Sequence, residues 1–422
     1  MNLGLEVNPR WDRENSCLFY RNGLRTILRA PGALCALCAF CTLLSLPLHP
    51  QNINSISGVV RGTVGAAILG APVKLTGSAI GGPDHLPPRR EIHAIMRRVN
   101  SWQSAHPVMK PEDRNWQRAT WYTGVVAAWK ATGDKSFLKQ AWAWGKPHDW
   151  QVGTEPDGAN RLFCVQTWLE LYLRHKKDLA MVEPTIRWLD TSAPNSPGGG
   201  GRWYLEDNRV YADSLYGAPA LAMLTRATGN SKYLEIMEAF FDDVTAQLWD
   251  EQLGLYYRDD RFKEQFTANG KKIFWSRGNG WVFAGIPRIL DYLPADHPRR
   301  ARYVGIFRRM APELIKRQQN DGLWRANLDD PQEVPNPETS GTAFFCFGLA
   351  WGINNAILDP TEYEAPVVKA FTGLLQSVSS EGKVQWGQPV DWRPNPALRE
   401  STHEFVSGTF LLAASEVYKM RR

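Results

Sequence analysis

The sequence predicts an all-α protein built from a long series of paired helices, and three observations carry that expectation. Apolar residues recur at helical spacing over most of the chain from residue 89 onward. Strand signals are few, with only short stretches such as 254–257 and 383–386 suited to small hairpins in loops. One helical corner is used twice, as Ala131-Thr132-Gly133-Asp134-Lys135-Ser136-Phe137-Leu138 and again as Ala227-Thr228-Gly229-Asn230-Ser231-Lys232-Tyr233-Leu234. In each, a helix ends at glycine, a polar residue caps the next helix, and an aromatic–leucine pair packs back. Helices turned by such corners form either a closed toroid or an open solenoid, and the pattern alone allows both.

The elements follow in order. Residues 1–29 carry Arg10, Arg13, Arg21, Arg25 and Arg29, and a strongly apolar run follows over 33–46. This is the layout of a secretory signal, so 1–48 is assigned as a signal peptide, with an uncleaved N-terminal anchor as the alternative. The expected location is therefore periplasmic or secreted. Pro31 and Pro47 bracket the run and argue against a full membrane span. Residues 49–88, rich in Gly, Ser, Pro and small apolar residues, read as a linker. The domain proper is expected over 89–422. Its first helix, 91–103, places Ile92, Ile95, Met96, Val99 and Trp102 on one face. Further helices are expected at 116–132, 135–144, 166–174, 180–190, 214–228, 231–248, 281–293, 301–319, 341–357, 363–379 and 404–419.

Composition bounds the function. At 422 residues, with 43% hydrophobic and 22% charged residues, the chain is globular and large enough for one big core or two. The net charge of +6 is mild and its basic residues are scattered, which argues against nucleic acid as a partner. Tryptophan is in excess, with 18 residues against 17 Phe and 13 Tyr, and suits a protein that stacks flat ligands. Cys17, Cys35, Cys38 and Cys41 lie in the N-terminal segment, leaving Cys164 and Cys346 as two buried thiols in the body. No phosphate-binding loop and no zinc helix is present, so neither a metal nor an organic cofactor is expected.

The chain is organised around Phe274-Trp275-Ser276-Arg277-Gly278-Asn279-Gly280-Trp281. The glycines suggest a sharp turn close to a ligand, anchored by a buried helix that starts near Trp281. Arg277 offers a planar fork for a carboxylate, and Trp275 and Trp281 offer flat faces to a sugar ring. A loop–helix junction with two core tryptophans is the plainer alternative. Asp213, within Val210-Tyr211-Ala212-Asp213-Ser214-Leu215-Tyr216, is either a helix N-cap or a general acid whose pKa is raised by aromatic neighbours. Asp157-Gly158-Ala159-Asn160-Arg161 is a capped turn or a polar cluster for sugar hydroxyls. Arg258 either pairs with the adjacent Asp259 and Asp260 or faces an anionic substrate. Trp324 is a buried core residue or a platform at a cavity mouth, and the run from Thr339 to Thr342 is a good helix start.

The ordered set Trp-Tyr-Thr-Gly-Val (121–125), Gln-Thr-Trp-Leu-Glu-Leu-Tyr (166–172), Ala-Asp-Ser-Leu-Tyr (212–216), Trp-Ser-Arg-Gly-Asn-Gly-Trp (275–281), Asp-Gly-Leu-Trp (321–324), Glu-Thr-Ser-Gly-Thr (338–342) and Gly-Thr-Phe-Leu-Leu-Ala-Ala-Ser-Glu-Val-Tyr (408–418) resembles glycoside hydrolase family 105. These are the unsaturated rhamnogalacturonyl hydrolases, kin to the unsaturated glucuronyl hydrolases of family 88. The resemblance runs from about residue 89 to the C-terminus and implies a six-hairpin (α/α)6 barrel.

It also implies an unusual hydrolysis, the removal of a terminal 4,5-unsaturated galacturonyl or glucuronyl residue from lyase-generated oligosaccharides. By motif position Asp213 protonates C4 of the double bond, then takes the proton of the water that adds at C5. One carboxylate acting in both steps replaces the pair that ordinary glycosidases use. Trp275, Arg277, Gly278 and Trp281 would line the site, with Tyr122, Asn160, Tyr211 and Arg258 as further substrate contacts. Two departures stand out. Asn160-Arg161 occupies the place of an Asp pair in many members, with Asp157 as a substitute carboxylate, and Arg258 stands where many carry His, which suggests glucuronyl recognition. Tyr211 sits where some relatives have Trp. Two rival readings are a polysaccharide lyase on a similar toroid and a sugar-binding relative without catalysis.

Overall fold

The computed structural model describes residues 85–110, 112–191 and 202–420. The expected signal or anchor (1–48) and the linker over 49–84 lie outside them. Among the described residues, α-helices occupy Arg89–Ala105 (α1), Trp116–Thr132 (α2), Lys135–Gly145 (α3), Gly158–Arg174 (α4), Glu183–Thr191 (α5), Ala218–Thr228 (α6), Lys232–Leu248 (α7), Ser276–Leu290 (α8), Arg300–Ile315 (α9), Thr339–Asn354 (α10), Pro360–Gln376 (α11) and Glu404–Met420 (α12). The even-numbered helices pack in a closed ring, α2–α4–α6–α8–α10–α12 and back to α2. Outer helices lean on this ring: α1 on α12 and α2, α3 on α2 and α4, α7 on α6, α9 on α8, and α11 on α10 and α12. The fold is the six-hairpin toroid, and the ring closure decides against an open solenoid.

Sequence composition separates the two layers. In α8 every residue from Ser276 to Leu290 is buried, and in α10 every residue from Thr339 to Gly352. Helices without a polar face belong inside a large core. By contrast α9 buries only Tyr303, Phe307, Met310, Ala311 and Leu314, one stripe at helical spacing. The repeated corner forms as expected: Gly133 (φ 72°) and Gly229 (φ 74°) end α2 and α6 in the left-handed conformation. Asp134 then accepts from the Ser136 N–H, and Asn230 from the Lys232 N–H. Cys164 and Cys346 are buried free thiols.

The helix bounds at 116–132 coincide with expectation, and four assignments change. Helix α4 starts at Gly158 rather than Gln166, because Asp157 caps it through the Asn160 N–H. Helix α8 starts at Ser276 rather than Trp281, so the glycine-rich segment is helical and not a turn. Ahead of α6, Ala212–Gly217 forms a separate 3-10 turn. The expected strand at 383–386 reduces to one bridge, Val378 with Val384. Two short hairpins do form, Trp249–Asp250 with Leu255–Tyr256 (β1, β2) and Trp324–Arg325 with Pro337–Glu338 (β3, β4).

The ring closes where α2 crosses α12 backbone to backbone. A Cβ on Gly124 would lie 2.2 Å from the Gly408 carbonyl oxygen, and one on Gly408 would lie 2.3 Å from the Thr120 carbonyl oxygen. Neither main chain can yield without opening the ring. Gly408→Ala is expected to lower the unfolding free energy by about 1–3 kcal/mol through overpacking. Gly305→Ala, at an exposed site in α9 with nothing near its Cβ, should be neutral or stabilise by roughly 0.5–1 kcal/mol. Denaturant unfolding of the two variants side by side checks both signs.

Candidate active site

The start of α8 builds one wall. The Ser276 N–H donates to the Ala326 carbonyl, which fixes the entry of the helix. Glycine is needed at 278 for close approach: a Cβ there would lie 2.9 Å from the Trp275 ring and 3.4 Å from Asp213 Oδ1. Arg277 is fully buried between the Trp275 and Phe405 rings, its guanidinium carbon 4.7 and 4.9 Å from their centroids. Its Nη1 and Nη2 donate to the Gln388 and Pro389 carbonyls at 2.7 and 2.8 Å, and its Nε has no partner. The expected free fork is thus half committed to main chain. Burial lowers its pKa to about 10.

Asp213 lies in the first turn of the 3-10 segment, with Tyr211 at the cap position. It is therefore not the N-cap. Its side chain is 13% exposed, and its Oδ1 is buried without a hydrogen-bond partner. Burial pushes its pKa up to about 6, Arg258 opposes the rise, and Glu206 adds to it. A carboxyl that holds its proton near pH 6 is suited to general acid catalysis.

The wall opposite holds two fixed groups. Tyr211 donates its hydroxyl to Asp157 at 2.6 Å, and Asn160 Nδ2 donates to the same carboxylate at 2.9 Å. Asp157 is consumed as a cap and anchor, and it does not line the cavity as a second catalytic carboxylate. Arg161 turns away and bonds the Glu155 carbonyl. Arg258, 5% exposed, pairs with Glu206 and Asp259, while Asp260 pairs instead with Arg209. Its Nε has no hydrogen-bond partner and stands 3.7 Å from Asp213 Oδ2.

These walls enclose a cavity of about 310 Å³. Asn160, Tyr211, Asp213, Arg258, Trp275, Arg277 and Trp281 all line it, brought together from four separate chain segments. Trp281 is ringed by Trp116, Phe163, Tyr216 and Phe344 at 4.5–5.8 Å, so it forms the floor more than a stacking face. One expectation is corrected, and one open alternative is decided. Tyr122 is not in the cavity: it stacks on Trp144 at 4.0 Å, in a separate groove between α2 and α3. Trp324 is fully buried and donates to the Leu314 carbonyl, so it is core and no platform. The sequence reading missed Trp116, Phe163, Glu206 and the segment Val390-Asp391-Trp392. That last segment is tied in by Gln388, which accepts from Trp275 Nε1 and donates to the Arg393 carbonyl. Only the excess of tryptophan pointed toward it.

A closed helical toroid whose cavity sets a proton-holding carboxyl beside two buried arginines suits a glycosidase of the (α/α)6-barrel class, and the family match shows that class. The chain belongs to Glycosyl Hydrolase Family 88, whose model matches residues 89–421. It is 33% identical over 352 residues to an unsaturated 3S-rhamnoglycuronyl hydrolase of Formosa agariphila, covering 78% of this chain and 91% of that protein. A family 88 glycosyl hydrolase structure from Bacteroides vulgatus superposes with a TM-score of 0.70 at 32% identity, covering 78% of this chain and 99% of that one. A structure described as a polysaccharide lyase gives the same TM-score of 0.70 at 30% identity, covering 79% and 98%.

The raised pKa carries a consequence for stability. Asp213 is protonated in both folded and unfolded chains below its ordinary 3.8, and in that range it costs nothing. As pH rises through 3.8 to about 6 the unfolded chain ionises first, and stability falls. The loss at neutral pH is on the order of 2–3 kcal/mol. Asp213→Asn should therefore melt at higher temperature than wild type at pH 7.5, with the gap closing near pH 4. Thermal melts at the two pH values check this.

Proposed function

We propose that this glycosidase removes a terminal 4,5-unsaturated uronic acid from oligosaccharides left by a polysaccharide lyase, with an unsaturated glucuronyl–rhamnose unit as its substrate. The observation that carries the reading is Asp213: a single largely buried carboxyl, protonated up to about pH 6, with its Oδ1 free of any protein partner. The names of the relatives at 33% identity, both unsaturated 3S-rhamnoglycuronyl hydrolases, support the uronyl–rhamnose unit. Arg258 at the cavity wall supports a glucuronyl preference.

Each step follows from the groups present. Asp213 gives its proton to C4, and the positive charge that develops at C5 is shared with the ring oxygen. The unpartnered Nε atoms of Arg258 and Arg277 are donors for the substrate carboxylate. Asp213, now ionised, accepts the proton of a water that adds at C5. The C5 hemiketal opens to a ketone and leaves a hemiacetal at C1, whose collapse to the aldehyde breaks the bond to the next sugar and passes its hydroxyl proton to the released oxygen. Water is consumed and Asp213 ends protonated, so the cycle closes without a second carboxylate.

The lyase-described neighbour favours a second reading, elimination across an intact uronate. A lyase needs a strong base near C5. Among the described lining residues the candidate is Tyr211, and burial beside Asp157 holds its phenol well above the usual range. The phenol therefore stays protonated at neutral pH, with its hydroxyl committed to Asp157, and almost no phenolate is present to act as the base. Export to the periplasm or medium is proposed on the layout of residues 1–48 alone. No helix among the described residues is long and apolar enough to cross a membrane.

The test follows ultraviolet absorbance of the conjugated double bond. Absorbance should fall when the protein meets lyase-generated glucuronyl–rhamnose oligosaccharides, with turnover declining as pH rises through about 6. Asp213→Asn should bind the same ligand and lose about 100-fold or more of kcat. Rising absorbance on intact polymer would establish the lyase instead.

A further inference from the structure

We infer that Glu206 is a positioning residue that keeps Arg258 from closing into a hydrogen-bonded, bidentate pair with Asp213, and so preserves Asp213 as an acid. The inference rests on the reading of Asp213 as the proton donor. Glu206 and Asp213 face the same edge of one guanidinium, the edge formed by Nε and Nη2. Glu206 takes its Nη2 and Asp259 takes its Nη1 at 3.0 Å. The remaining nitrogen, Nε, faces Asp213 Oδ2 across 3.7 Å, too long for a hydrogen bond. Both Nε and Asp213 Oδ1 are left without partners. Two opposite charges that close, both shielded from water, would ordinarily collapse into a bidentate pair. Glu206 already holds Nη2, the second nitrogen that a bidentate Asp213 would need, and that is what keeps them apart.

Local structure fixes that anion. Glu206 opens a tight turn whose Asp207 (φ 49°) and Asn208 (φ 61°) are left-handed, and its main chain is bridged to Arg209 in both directions. Arg209 pairs with Asp260, one residue beyond Asp259. The turn and the segment carrying Arg258 are therefore laced together by two ion pairs, Arg258 with Glu206 and Arg209 with Asp260, while Asp259 holds Arg258 from within its own segment. The Tyr211 ring, 4.9 Å from the guanidinium carbon, covers its face.

The charged groups around Asp213 all come from named elements: Arg258 and Asp259 from the segment after β2, Glu206 from the turn, and Arg277 from the start of α8. Asp391, from the loop before α12, lines the same cavity. Two arginines flank one acid, and unrestrained they would hold it ionised and spent. Removing Glu206 deletes a neighbouring negative charge and frees Nη2 to turn toward Asp213, so both effects act in the same direction.

The experiment titrates the Asp213 carboxyl directly, by carbon NMR of protein labelled at aspartate Cγ, with Asp213→Asn to assign the resonance. In Glu206→Gln the Asp213 midpoint should fall by about one to three pH units, the range set by an arginine drawing close to a carboxylate. In Glu206→Asp it should return toward wild type. The pH at which turnover declines should fall by the same amount. An unmoved or raised midpoint in Glu206→Gln would overturn the inference, as would lost activity at every pH in a variant that melts like wild type. Because the NMR arm needs no substrate, a wild-type chain inactive on unsaturated oligosaccharides refutes the proposed reaction separately.

Discussion

The structure depends on the contact between its first and last inner helices. A ring of six helices has no free end, so every inner helix must be gripped on both flanks. Most neighbours in the ring follow one another closely in sequence. The pair α12 and α2 does not, and it closes only because Gly124 and Gly408 let two main chains meet without intervening side chains. With the ring closed, α8 and α10 are buried along nearly their whole length and need no polar face. The polar groups that line the cavity come from helix starts and the loops beside them.

In that cavity the chemistry comes from incomplete satisfaction of buried charge. Arg277 reaches two carbonyls and two rings but leaves its Nε unspent. Arg258 is held by two carboxylates and leaves its Nε unspent toward a third. Stability alone would pair every such group, since an unmatched polar atom in a dry site is costly. The site keeps these vacant capacities facing one small cavity, which is where a ligand that brings its own anion and its own oxygens completes them. Gln388 matters for the same reason. It anchors Trp275 on one side and the Arg393 carbonyl on the other, so the wall carrying Arg277 is tied to the segment carrying Trp392.

Much of this was legible in the sequence because it is written locally. The bounds of α2, the repeated glycine corners and the apolar faces come from residues within a turn of each other. The motifs around Asp213 and Arg277 stood out by residue type, and both face the cavity. Other parts were hidden by distance or by context. Glu206, Asp391 and Trp392 sit in loops with no periodicity, and only the closed fold brings them to the cavity. Glycines at 278 and 280 suggest a turn when read alone, yet here they clear space for Trp275 and Phe344 inside a helix. Tyr122 belongs to a recognisable motif, but its place on α2 turns it toward Trp144 of α3, away from the cavity.

Ring closure also orders events during synthesis. Helix α2 is made early, and its partner α12 spans residues 404–420. Until the ribosome has released that last segment, the Gly124 face of α2 stays uncovered. Arg277, made midway, waits for carbonyls at 388 and 389 and for the Phe405 ring. A growing chain therefore cannot assemble the cavity piecemeal. The barrel and its chemistry arrive together, and a polypeptide stalled short of α12 holds an open arc of helices with its central arginine still in search of partners.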